Sequence, residues 1–340
     1  MKTKRHSIKD IASKLNVSVT TVSFVLNGKA KEKRISDEVT KKVLDYVKQI
    51  NYKPNQLAQS LRTGESKIIV FMVEDISNYF FSKVARIIED IAYEKGYKII
   101  FCSNENEDEK SRELIQLFNE RQVDGYIIIP SSGIKNEIEQ LIEDEIPVVL
   151  FDRYFAGLNS NYVVIENYNA SLKATNHLLE QGFKNIGFIT TDVEQNQMLD
   201  RLKGYTEAIK EAGQHSLILK VPYKDKNTAK GEKLIKEFLQ NENLDAVFFA
   251  TNYLTQTGLA VVKKHFAFKI NEWGIVTFDD NDFFDIYTPS ITAISQPLQE
   301  MAEELMRIIL AQLKEKNKEL PFEKIVLSPK LNIRESSLRK

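Results

Sequence analysis

Between residues 68 and 278, nine short apolar, β-rich runs alternate with amphipathic helical patterns, and that alternation leaves few folds open. The runs cover 68–73, 98–102, 126–129, 148–151, 162–165, 185–190, 217–221, 246–250 and 275–278. Helical periodicity fills 81–95, 109–121, 135–144, 169–181, 201–212, 228–241 and 254–265. A strand that leads through a helix into the next strand returns in the same direction, so the fold class is α/β with parallel sheets covered by helices. The roughly 275 residues of this part exceed one comfortable hydrophobic core, and two lobes are expected.

In open parallel sheets, ligands bind beyond the carboxyl ends of the strands. The loops after these runs therefore form the candidate pocket, with Asn78, Phe80 and Phe81 after the first, Asp152 and Arg153 after another, then Asn252 with Tyr253, and Asp279. Aromatic faces beside carboxylates, amides and an arginine suit a polyhydroxylated small molecule, because each hydroxyl needs a directed hydrogen bond while the ring face stacks. On a second account, Phe80 and Phe81 are partly core and Asp152-Arg153 is partly a structural ion pair.

The amino-terminal part differs in charge. Residues 1–67 hold 15 Lys+Arg against 6 Asp+Glu, and residues 68–340 hold 32 against 42, so a net charge of −1 hides a basic head on an acidic body. Basic surface displaces counterions from phosphates, whereas the acidic body would be repelled by them. The head reads as three short helices. Ser7 with Asp10 three residues on is a capping-box start, followed by Ile8, Ile11, Ala12 and Leu15 at helical spacing. Ser18 caps a second helix, 19–26, with Val22, Val25 and Leu26 inward, and Asn27-Gly28 stops it. Ser36 caps a third, with Val39, Val43, Val47 and Ile50 along one stripe.

A three-helix unit can be mere packing, but the second helix presents Val19, Thr20, Thr21 and Ser23, small enough to enter a major groove and meet base edges or thymine methyls. Lys4, Arg5, Lys29, Lys31, Lys33 and Arg34 flank it for phosphate contacts. Next, Pro54 ends the third helix, and residues 55–61 form a seven-residue helical pattern. Isolated helices shorter than about 12–15 residues are marginal in water. This hinge should therefore be helical only when something packs on it, such as its twin above a bent minor groove, with Leu61 as an apolar wedge between base steps.

The motifs Ile8-Lys9-Asp10-Ile11-Ala12, Val17-Ser18-Val19-Thr20-Thr21-Val22-Ser23, Asn51-Tyr52-Lys53-Pro54-Asn55 and Leu57-Ala58-Gln59-Ser60-Leu61 resemble the signature of the lactose-repressor (LacI/GalR) family of bacterial transcription regulators. The likeness continues through Asp75-Ile76-Ser77-Asn78, Arg121-Gln122-Val123-Asp124-Gly125, Phe151-Asp152-Arg153, Arg201-Leu202-Lys203-Gly204-Tyr205, Phe278-Asp279-Asp280, Gln296-Pro297 and Arg334-Glu335-Ser336, nearly the whole chain. It implies a helix-turn-helix head (1–53), a hinge (54–66) and a periplasmic-binding-protein-like body (67–340). The chain would cross between lobes near 162, 293 and 325, giving an N-lobe of about 67–162 and 294–324 and a C-lobe of about 163–293 and 325–340. DNA contacts are expected at Ser7, Ser18, Val19, Thr20, Thr21, Ser23, Phe24, Asn27, Lys33, Arg34, Tyr52, Asn55, Ala58 and Leu61. Effector contacts are expected at the strand-end residues above and at Arg201, at the start of its helix.

Some positions depart from the family pattern. Phe24 stands where arginine is common, Tyr79 replaces a frequent proline, Glu166 an aspartate, and Tyr253 the aspartate that usually follows Asn252. Tyr253 would stack on a sugar ring or plug the pocket, and an unusual effector is expected.

No cofactor or metal is expected. Cys102 is the sole cysteine, the four histidines are scattered, and the acidic run 279–285 lacks the glycine and terminal glutamate of a calcium loop. With no apolar signal segment, a cytoplasmic, nucleoid-associated bacterial location is expected. The chain's end, without a heptad tail, favours a homodimer over a tetramer. The expected function is a ligand-responsive DNA-binding regulator, a repressor, that binds a pseudo-palindromic operator as a dimer, with a sugar or sugar derivative as effector and no enzymatic activity. The alternative is a sugar-binding protein with no DNA-directed role.

Overall fold

A computed structural model describes residues 6–52, 64–241, 243–315 and 320–339, and the chain divides into two compact units, Met1–Ser66 and Lys67–Lys340. In the first unit, α1 (Ile8–Leu15) opens on the full capping box: the Asp10 N–H donates to Ser7 Oγ, and the Ser7 N–H donates to the Asp10 carboxylate at 2.7 Å. Asn16 ends the helix in the left-handed conformation (φ 55°, ψ 47°), a geometry asparagine tolerates, and so tightens the turn. Ser18 then caps α2 (Val19–Leu26), accepting the Thr21 N–H at 2.9 Å, and Ser36 caps α3 (Asp37–Gln49). Ile11, Val22 and Val43, one from each helix, are fully buried at the centre of this small core.

The second unit holds two six-stranded sheets. The N-lobe sheet runs β11-β5-β4-β3-β1-β2, all parallel, from β1 (Ile68–Val73), β2 (Lys98–Ser103), β3 (Gly125–Ile128), β4 (Val148–Phe151), β5 (Asn161–Ile165) and β11 (Lys324–Leu327). The C-lobe sheet runs β12-β10-β9-β8-β6-β7, from β6 (Ile186–Asp192), β7 (Leu217–Pro222), β8 (Ala246–Phe249), β9 (Gly274–Phe278), β10 (Thr292–Ser295) and β12 (Lys330–Asn332), the last antiparallel. Fully buried β-branched and aromatic residues such as Ile69, Phe71, Ile127 and Val149 occupy strand centres, as sheets covered on both faces require.

The crossings fall later than expected. β5 stays in the N-lobe to Ile165, β10 stays in the C-lobe to Ser295, and β11 belongs to the N-lobe to Leu327. The exchange positions are therefore just beyond 165, 295 and 327 rather than near 162, 293 and 325, because each crossing strand completes its ladder before the chain leaves the sheet. After β10, the helix Leu298–Lys314 returns to the N-lobe and buries Met301, Leu305, Ile308 and Ile309. The C-lobe pair Asn167–Glu180 and Asn196–Glu211 packs with its backbones close together at Gly204, where an added Cβ would lie 2.3 Å from the Tyr168 carbonyl oxygen.

Candidate functional site

In the head, α2 presents Val19 (40 % exposed) and Thr20 at its amino-terminal end. The other small residues are more engaged. The Thr21 hydroxyl lies 2.8 Å from Ser18 Oγ, and Asn27 Nδ2 donates to the Ser23 carbonyl at 2.7 Å. Ser7 serves the α1 cap and Ser18 the α2 cap. Phe24 is half-buried, with Lys33 Nζ 5.6 Å above its ring, while Lys29, Lys31, Lys33 and Arg34 are exposed beyond the helix. Tyr52 packs partly against the head core, and burial raises its pKa. Lys4, Arg5, Asn55, Ala58 and Leu61 lie outside the described residues.

In the body, strand-end loops of both lobes converge on one small cavity of about 30 Å³, lined by Asn78, Phe80, Phe81, Asp152, Arg201, Tyr253 and Asp279 together with Glu74, Gln197 and Gln296. Asp152 and Asp279 follow β4 and β9 in the left-handed region, at φ 66° and 67°, a conformation aspartate tolerates better than branched residues. Gln197 donates to Asp152 at 3.2 Å and Gln296 to Asp279 at 2.6 Å. Arg201 is buried: its Nε donates to Asn167 Oδ1 and its Nη1 to the Ala250 carbonyl, both at 2.8 Å, and its guanidinium sits 3.6 Å from the centre of the Phe278 ring. It lies in the second turn of the helix Asn196–Glu211, not at the start, since Asn196 rather than the Arg-Leu-Lys-Gly-Tyr motif begins the helix.

Two expectations divide. Phe80 and Phe81 line the cavity and also belong to the core, Phe80 stacking on Phe151 at 5.8 Å. Arg153 is not among the cavity-lining residues: it pairs with Glu74 at 2.9 Å, while its Nε is 3.8 Å from Asp152. Asn78 and Asn252 hydrogen-bond to each other between the lobes at 2.8 and 3.1 Å. Glu74 also accepts the Tyr223 hydroxyl at 2.6 Å, a second link between lobes.

Sequence reasoning missed Glu74, Gln197, Tyr223 and Gln296. Glu74 directly follows β1, so the strand-end rule could have found it, and Gln296 stands in the Gln-Pro pair quoted above. Nothing local marks Gln197 or Tyr223; only the closure of the lobes brings them in.

The cavity wall and the Arg153–Glu74 pair behind it are under-satisfied electrostatically. Arg153 Nε and Nη1, Gln197 Oε1 and Gln296 Oε1 are buried without a hydrogen-bond partner, and each such group carries a desolvation cost of about 1–3 kcal/mol. Burial pushes the Asp152 carboxyl up to about 6, against the opposing pull of Arg153 and Arg201. Such a set can accept and donate hydrogen bonds to a hydroxyl-rich molecule. Tyr253 lines both this cavity and a larger one of about 400 Å³.

Among the described residues, no cluster of His, Cys, Asp or Glu is placed to hold a metal ion, and no helix is long and apolar enough to cross a membrane. In the acidic run, Asp280 and Asp285 bind Arg334 while Asp282 accepts from Tyr79 and Lys83. Cys102 is half-buried, and burial pushes its thiol up to about 12. Trp273 is buried in the C-lobe core.

Residues 7–55 match the family model of bacterial regulatory proteins of the lacI family, and residues 175–337 match that of the periplasmic-binding-protein-like domain. The chain is 33 % identical over 336 residues to the HTH-type transcriptional regulator RegA of Clostridium saccharobutylicum, covering 98 % of this chain and 99 % of that one. It is 31 % identical over 311 residues to the ribose operon repressor of Halalkalibacterium halodurans, covering 91 % of each. Among solved structures, a LacI family transcriptional regulator from Enterococcus faecium with bound ribose superposes with a TM-score of 0.69 at 25 % identity, over 79 % of this chain and 98 % of that one.

Proposed function

Since the chain belongs to the LacI family of bacterial regulatory proteins, we propose that it works as a homodimeric, cytoplasmic repressor whose paired heads read a pseudo-palindromic operator and whose body takes a sugar or sugar derivative between its lobes. The observation that carries the ligand reading is the pair of buried, partly unpaired amides Gln197 and Gln296 beside Asp152, Arg201 and Asp279. A non-catalytic role fits a set that holds a ligand by hydrogen bonds from both lobes. Ribose and related pentoses are the first candidates, since one relative is named as a ribose operon repressor and one structural neighbour holds ribose.

In the head, Val19 and Thr20 meet base edges while Lys29, Lys31, Lys33 and Arg34 meet phosphates. The hinge, Asn55, Ala58 and Leu61 included, pairs with its twin over the minor groove. Ligand shifts the lobes, and hence hinge pairing, by as much as its affinities for the two arrangements differ. Leu61→Ala is expected to weaken operator binding about 10- to 100-fold, from the loss of one buried leucine side chain, and to leave effector binding intact. A gel-shift titration reads the first and calorimetry the second; unchanged operator affinity would remove the wedge.

The raised Asp152 pKa gives a pH signature. With its folded-state pKa near 6 rather than the usual 3.8, the carboxyl holds its proton more tightly in the folded chain. Its contribution to stability is therefore full below the ordinary value and lost as pH rises through about 6. A sugar hydroxyl that donates to the carboxylate needs the ionised form. Effector affinity should thus fall as pH drops below about 6, by at most about tenfold per pH unit, and Asp152→Asn should flatten the profile. A wild-type profile that stays flat between pH 7 and 5 would count against Asp152 as an acceptor for the effector.

A further inference from the structure

The larger cavity, about 400 Å³, lies beside the small one, and Glu74, Asn78 and Tyr253 line both. Its size falls within the range of ordinary small-molecule pockets, whereas about 30 Å³ holds little more than two waters. The outer cavity carries two cations, Lys226 and Lys263, neither of which makes an ion pair among the described residues. Lys226 is the more constrained. It follows the short turn Tyr223–Asp225, its carbonyl accepts the Thr257 hydroxyl at 3.0 Å, and its ammonium lies 3.4 Å from the centre of the Tyr223 ring and 5.4 Å from that of Tyr253. The acids along the same wall are engaged: Glu74 with Arg153 and Tyr223, and Asp75 with the Ser77 N–H and hydroxyl. The Glu74, Asp75 and Glu105 carboxylates act on Lys226 only from beyond ion-pair distance, Glu105 being paired with Lys110, so this half-buried ammonium seated on aromatic faces keeps a place for a ligand oxyanion.

We propose that the outer cavity is an anion subsite, that Lys226 anchors a phosphate or carboxylate carried by the effector with Lys263 near by, and that the effector is a phosphorylated or otherwise acidic sugar reaching past Tyr253. This rests on the reading of the cleft as the effector site. Tyr253, where the family commonly has an aspartate, lines both cavities, so that position offers a negative group a neutral phenol in place of a second carboxylate beside Glu74.

The test compares matched probes on the full chain at fixed ionic strength. Ribose against ribose 5-phosphate, glucose against glucose 6-phosphate, and inorganic phosphate alone are titrated by calorimetry into the wild type, Lys226→Met, Lys263→Gln and Arg201→Met. The proposal predicts that at least one phosphorylated sugar binds tenfold or more tightly than its parent. It also predicts that Lys226→Met, with a melting curve showing a folded protein, brings that ratio to about one, and that Lys263→Gln lowers it by less. Equal or weaker binding of every phosphorylated probe overturns the proposal, as does a ratio unmoved by Lys226→Met, and as does no binding of any phosphorylated probe or of phosphate at about 10 mM, where even a site with millimolar affinity would be mostly filled. If phosphorylated probes bind and are lost in Lys226→Met but not in Arg201→Met, the anion subsite stands and the cleft reading falls. Sugar binding lost in Arg201→Met with no preference for phosphate has the reverse meaning.

Discussion

Arg153→Met is expected to lower the unfolding free energy of the body by about 3–5 kcal/mol, because it leaves the buried Glu74 carboxylate without its cation. Arg153 is 2 % exposed and Glu74 6 %, so water offers neither much compensation. The remaining Tyr223 hydroxyl supplies Glu74 with one neutral donor in place of a charged one. Because Tyr223 reaches Glu74 from the other lobe, the same change should also loosen closure and weaken effector binding. Adding Glu74→Gln should restore part of the loss, since the double variant buries no unpaired charge. Urea unfolding of the wild type and the two variants measures this, and a loss below about 1 kcal/mol for Arg153→Met alone would place the pair in the weak class of exposed ion pairs.

Gly204→Ala should be nearly as damaging for a different reason. The new methyl would stand 2.3 Å from the Tyr168 carbonyl oxygen and 2.9 Å from the Leu172 nitrogen, so the obstacle is backbone that cannot rotate away. Overpacking of this kind costs typically about 1–3 kcal/mol. In a domain of this size each 1 kcal/mol shifts Tm by about 2–4 °C. A drop of that order is expected by calorimetry, with weaker effector binding because Arg201 and its acceptor Asn167 sit on the two helices that would be forced apart. An unchanged Tm would mean that the helices separate freely there.

The alternation of strand and helix was legible because each central strand is buried on both faces and each covering helix is amphipathic. Ile68–Val73 and Val148–Phe151 read from the sequence with their observed bounds. The strands after residue 290 and the helix Leu298–Lys314 were not delimited, since β10, β11 and β12 are three or four residues long and two of them are half-exposed edges. The head was legible from its caps: Ser7, Ser18 and Ser36 each hold the N–H expected of them.

The pocket was legible only in part. The rule that ligands gather beyond strand ends brought Asp152, Asp279 and Asn78 to one cavity, yet it could not say that Arg153 would turn to Glu74, because that choice depends on a residue 79 positions away. Gln197 and Tyr223 were beyond reach for the same reason. Their partners, Asp152 and Glu74, belong to the other lobe.

We propose, centrally, that the head binds DNA in pairs under the control of a ligand in the body. The most direct measurement is footprinting of sheared genomic DNA with the full chain, with and without the sugar and sugar-phosphate probes. The predicted result is a small set of protected sites sharing two inverted half-sites, with protection altered by at least one probe and insensitive to it in Arg201→Met. Protection spread evenly over the genome, the same with every probe, would contradict it.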